Sequence, residues 1–139
     1  MRIVRIVVSG LALATTLGVA SARAECPMDL GRGSGWVLFS QHYMITFRPD
    51  PLQIEVGEPV ALVLNVCTKD GEAAELVGVG AERVDDAATP AQRLKLSGGR
   101  DGRYRAEGLS FSSGGRWEIE FDVRSDGETE ELTHEIVVK

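Results

Sequence analysis

Beyond Met1, six side chains in this 139-residue sequence are of types that bind soft metals or form sulfur bridges: Cys26, Met28, His42, Met44, Cys67 and His134. His42 and Met44 are two apart, so a strand would present them on one face. Imidazole and thioether together suit copper, which makes His42 and Met44 a candidate ligand pair. A lone His on a strand is more often a structural residue, and a two-residue spacing arises easily without function. Cys26 and Cys67 lie in no CxxC and have no His-spaced partner of the zinc type. They read either as a disulfide or as two thiol ligands, and an oxidising compartment favours the disulfide. Closing a loop of about 40 residues stabilises a fold by roughly 3–4 kcal/mol in the chain-entropy picture.

Catalytic patterns are poorly supported. Nucleophilic catalysis needs Ser or Cys beside a base that a third group orients. No G-x-S-x-G occurs, and Ser110, Ser112 and Ser113 have no base near them in sequence. The many acids fall in turns or on outward strand positions, as expected of a solvated face. The expectation is that the chain is not an enzyme.

The N-terminus places these residues in a compartment. Arg2 and Arg5 precede an apolar run from Ile6 to Ala20, and Ala22-Arg23-Ala24 resembles a leader-peptidase site. Residues 1–24 are expected to be a signal peptide. The alternative, an uncleaved anchor, needs about 20 apolar residues, more than this Ser-, Thr- and Gly-diluted run supplies. Glu25 before Cys26 speaks against lipidation. Removing residues 1–24 takes away three of the 15 Lys and Arg and none of the 21 Asp and Glu, leaving a net charge of −9. That balance disfavours nucleic acid as a partner. With no basic amphipathic helix, stable membrane association after cleavage is not expected either. The expected location is periplasmic or secreted.

The elements that must position the candidates read as strands. In "HYMITFR", Tyr43, Ile45 and Phe47 share a face, and Pro49 is expected to stop the strand. "LQIEV" follows. "PVALVLNVC" is apolar on both faces, as in the middle of a packed sheet. "KDGE" is a hairpin turn. "ELVGVGAERV" is a weaker strand, loosened by Gly78 and Gly80, and Ala73–Leu76 has at most a helical turn. "RWEIEFDVR" alternates cleanly, with Trp117, Ile119, Phe121 and Val123 inward, and "ELTHEIVVK" puts Leu132, His134, Ile136 and Val138 on one face. The Gly-rich opening "DLGRGSGW" and the stretch "DDAATPAQRLKLSGG", Asp85 to Gly99, read as loops. About seven short strands without a helical period predict an all-β, immunoglobulin-like antiparallel β-sandwich.

Stretches along nearly all of residues 25–139 resemble the YtkA-like family of small exported bacterial proteins, which includes FixH-like domains: "MDLGRG", "ITFRPDPLQIEVGEPVALVLNV", "KDGE" and "GRYRAEGLSFSSGGRWEIEFDV". The resemblance implies an immunoglobulin-like sandwich of the cell envelope, in some members linked to oxidase assembly or copper handling. Many relatives carry "MPxHxHG" in the connection before the "GxYxxxxLxF" strand, and a Met soon after its Phe. Here the first set reads Thr89, Pro90, Ala91, Gln92, Arg93, Leu94 and Lys95, and Ser113 stands for the later Met. Only Pro90 fits, so the family's metal role is not carried over.

The expected function is therefore a non-catalytic exported binding or assembly module that needs no cofactor. Its partner would be an envelope protein or a small ligand. Arg93, Lys95 and Arg100 form a candidate contact patch on an acidic body. The alternative is a periplasmic copper-binding accessory protein using His42 and Met44.

Overall fold

The computed structural model describes residues 26, 29, 30 and 35–139. The expected signal peptide, and Met28, lie outside them. Among these described residues, nine antiparallel strands form two sheets packed as a sandwich. They are β1 (Trp36–Phe39), β2 (Tyr43–Asp50), β3 (Pro59–Thr68), β4 (Glu75–Arg83), β5 (Gln92–Arg93), β6 (Lys95–Gly98), β7 (Arg103–Ser110), β8 (Gly115–Ser125) and β9 (Glu128–Val138). Sheet A runs β1-β2-β3-β7-β6 and sheet B runs β5-β4-β8-β9. No helix among the described residues is long and apolar enough to cross a membrane.

The inward rhythm of β8 builds the core. Trp117, Ile119, Phe121 and Val123 are all fully buried, facing Ile45, Phe47, Leu64 and Val66 from the other sheet. Trp117 meets Phe111 edge-on at 5.2 Å and donates its indole N–H to the Ser113 carbonyl at 3.1 Å. That bond satisfies the one polar group a buried Trp brings. Tyr104 ties the sheets together from β7: its hydroxyl accepts from the Leu76 amide at 3.1 Å and donates to the Ala74 carbonyl at 3.2 Å.

β3 is central in sheet A, as its two-faced apolarity requires. Its outer face is covered by the chain around Cys26. Cys26 is bonded to Cys67, with Cα atoms 5.8 Å apart, and the Asn65 amide donates to the Asp29 carbonyl at 3.2 Å. Gly102 shares this spot with φ +75°, and a Cβ there would lie 2.5 Å from the Val66 carbonyl and 2.8 Å from Cys26 Sγ. Only glycine meets both demands.

Four expectations are corrected. β1 forms where the Gly-rich opening ends, because Trp36 and Leu38 pack inward against the core. β2 continues through Pro49 to Asp50, since β1 pairs with it only as far as Phe47, and beyond that point one edge of β2 needs no donor. Ala73 is extended, bridging to Cys67, because the disulfide-bearing strand offers it a partner. The Asp85–Gly99 stretch is more than a loop: β5 pairs with β4 in sheet B, and two residues on β6 pairs with β7 in sheet A. Gln92, Leu94 and Leu96 alternate inward there, with Leu94 buried at the crossing. Sequence reasoning missed this period-two signal because Pro and Gly flank it.

Candidate functional site

The strand that changes sheets seals one side of the sandwich. The Gln92 side-chain amide donates to the Ser110 carbonyl at 2.7 Å and its oxygen accepts the Ser110 N–H at 3.0 Å, a reciprocal pair that stands in for a ladder rung. Leu94 donates its N–H to the Val79 carbonyl at 2.9 Å.

The opposite side is open. There β1 ends sheet A and β9 ends sheet B, and among the described residues no strand pairs with either outer edge. Aromatic rings fill the seam between them. The His134 ring lies 5.5 Å from Phe47 and 5.8 Å from Trp36. Burial in this setting holds the His134 pKa below the ordinary histidine range. At the end of the seam His42 Nδ1 meets Glu130 Oε2 at 3.1 Å. Hydrogen bonding from Ser40 first, and then from His42, holds the Glu130 carboxyl below its usual pKa against the opposing effect of burial. Both histidines of the chain thus lie on the open side, one within the aromatic seam and one at its end.

The two edges differ in protection. β9 is eleven residues long and carries Glu128, Glu130, Glu131 and Glu135, charges of the kind that discourage strand pairing. β1 reads Trp-Val-Leu-Phe, with a continuous register to β2 and no charge, Pro or bulge. Its outward residues Val37 and Phe39 are 49% and 67% exposed. β1's shortness is its one safeguard.

The residues singled out from sequence are not brought together. His42 precedes β2 and turns to Glu130, whereas Met44 lies on the outer face of sheet A, in register with Phe39 and Cys67. Both cysteine sulfurs are engaged with each other. At the positions of the family's metal motif, Gln92 is engaged with the Ser110 backbone and Leu94 is in the core. Ser113 Oγ accepts from Arg83 Nη1 at 2.5 Å. That donor set does not fit copper. Arg93 belongs to sheet B and meets Asp122 at 3.2 Å over Gly78, where a Cβ would crowd both partners. Lys95 belongs to sheet A opposite Glu107, and Arg100 opens the 3-10 turn before β7. The switch between sheets therefore assigns the first two cations to different sheets.

Two further features escaped the sequence. Glu120, Asp122 and Glu131 cluster on the outer face of sheet B, with carboxylate oxygens within 4.8 Å of one another. Burial first, and then Glu131, push the Glu120 carboxyl above its usual pKa. Two shallow hollows, of about 250 and 310 Å³, flank Pro59 and Val60 on sheet A. The second holds Arg105, already bonded to Asp50 at 2.8 Å and to Glu107 at 2.9 Å. Only the register between neighbouring strands creates these groupings.

The fold defines a small all-β sandwich in which, among the described residues, the outer edge of β1 pairs with no strand. Among solved structures, the chain matches FetP of uropathogenic Escherichia coli strain F11, as isolated after recombinant expression in the E. coli periplasm. The identity is 9%, the coverage 74% of this chain and 92% of that chain, and the TM-score 0.47. No family model and no curated protein matches the sequence.

Proposed function

We propose that this protein is an exported, non-catalytic binding or assembly module of the cell envelope that engages a protein partner through the open side of its sandwich. The observation that carries the reading is β1, an apolar edge strand with Val37 and Phe39 exposed and no charge to repel an added strand. Natural sheets blunt such edges unless something covers them. The leader-like residues 1–24 and the resemblance to YtkA-like chains support the exported setting. Copper handling has less support, because His42 would have to leave Glu130 and the two thiols would have to be released from each other.

A photo-crosslinking side chain placed at Val37, and separately at Thr133 on the outer face of sheet B, tests the reading in cells. A discrete adduct with an envelope protein from Val37 but not from Thr133 is expected. Equal labelling from both sites, or none from either, would overturn it.

A further inference from the structure

A titratable ring supports the edge strand. His134 is half-buried beneath β1, 5.8 Å from the Trp36 indole and 5.5 Å from Phe47. The elements packed against it bring apolar groups. β1 carries no ionisable side chain. β2 presents Tyr43, Ile45 and Phe47, of which only the Tyr43 phenol titrates. β8 places Ile119 opposite the histidine, with Trp117 and Phe121 on either side. On β9 itself, Leu132 and Ile136 flank it on the same face. Glu130, at the end of the seam, is taken up by Ser40 and His42, with Lys69 beyond. Glu135 points to the outer face of sheet B and pairs with Arg116. Among the described residues, no group bonds to either ring nitrogen of His134, and no carboxylate balances an added proton there.

An imidazolium at this spot loses hydration without gaining a partner. The fold relieves that cost where water enters most cheaply. β9 is held to β8 by a register eleven residues long, and β2 and β8 are paired on both sides. β1 has four residues, pairs on one side only, and is held inward by Trp36 and Leu38. Lifting β1 therefore opens the ring to water for the least lost structure.

We propose that protonation of His134 favours release of β1 from the sandwich while the other strands stay closed, which makes this edge strand acid-sensitive. Given the binding role proposed for the same edge, mild acid then withdraws it from a partner.

Amide exchange of the mature protein at two pH values, expressed as protection so that the intrinsic effect of acid drops out, tests the proposal. The Ser40 amide bonds to the Tyr43 carbonyl, so the alternation of an antiparallel ladder turns the Trp36 and Leu38 amides toward β2. Protection at Leu38 should fall roughly tenfold from about pH 7.5 to about pH 5.5, the limit for a ring that titrates at about pH 6.5 once β1 has lifted. Exchange at Leu38 should ignore low urea, as a local opening does, whereas β8 amides should respond to it. His134→Phe should abolish the fall. His42→Gln should leave it in place, because His42 bonds Glu130 at the end of the seam. In the wild type, the His134 ring resonance should titrate in step with Leu38.

Unchanged protection at Leu38 would overturn the proposal, as would a fall that persists in His134→Phe and disappears in His42→Gln. So would a His134 ring that protonates at about pH 6.5 with Leu38 still protected, because the Trp36 indole would then be holding the imidazolium. Crosslinking from Val37 separates this proposal from the binding role. If Leu38 opens in acid and no adduct forms at neutral pH, the binding module falls and the acid release stands. If the adduct forms and Leu38 does not respond to acid, the acid release falls and the module stands.

Discussion

The indole of Trp36 lies 5.8 Å from the imidazole of His134, across the open side of the sandwich. The same imidazole meets Phe47 edge-on at 5.5 Å. A histidine in this aromatic setting is a packing residue that resists protonation.

Burial lowers the folded pKa of His134 below its unfolded value, so the unfolded chain takes up the proton first. Stability is therefore full above about pH 6.5 and is lost as pH falls through that range toward the depressed folded value. Replacing His134 with Phe keeps the ring and removes the proton site. Thermal unfolding of the two proteins between about pH 7 and pH 5 should show the wild type losing more than the variant. Parallel curves would mean that His134 titrates as in the unfolded chain.

Cys26 and Cys67 are 41 residues apart and bonded. The bond anchors the chain at Cys26 to the outer face of β3, where Cys67 is fully buried. Freeing a loop of that length should cost roughly 3–4 kcal/mol in the chain-entropy picture. Denaturant unfolding with and without reductant measures it, and a thiol count of zero on the native protein checks the pairing. Two titratable thiols in native protein purified without reductant would instead revive the thiol-ligand reading.

Much of this architecture was legible because burial on one face writes a period of two. Trp117 to Val123 and Leu132 to Val138 were placed correctly for that reason, and the covered outer face of β3 was foreshadowed by Ala61 and Val63. What stayed hidden were features that depend on which strands become neighbours. Gln92 to Gly98 crosses from one sheet to the other, so its alternation serves two sheets in turn and is too short in each to stand out. β1 is four residues after a run of glycines, and only the Phe47 and His134 rings beneath it explain why Trp36 is ordered there. The pairing of His42 with Glu130 spans 88 positions and has no local signal.

The reciprocal bond between Gln92 and the Ser110 backbone predicts a mechanical role for the sheet-switching strand. Gln92→Ala leaves the partly buried N–H and C=O of Ser110 without these partners, which should cost about 1–3 kcal/mol. Hydrogen exchange should also rise locally at Leu94, whose amide bonds to Val79 next to the lost pair. A variant as stable as the wild type, with unchanged exchange at Leu94, would show that Leu94 burial alone seals this side.

Glu120 offers the opposite pH dependence to His134. Burial and the facing Glu131 raise its folded pKa above the unfolded value, so the folded state takes up the proton first. At neutral pH its charge is a cost to the fold, relieved as pH falls through the raised value and gone below about pH 4.5. Glu120→Gln removes the charge and keeps the shape. The variant should be more stable than the wild type at pH 7, by about 0.2–1 kcal/mol for a cross-strand charged contact, with the gain shrinking to nothing in acid. A destabilised Glu120→Gln protein at neutral pH would mean that the carboxylate is held by attraction, with Arg93 outweighing Glu131 at this position.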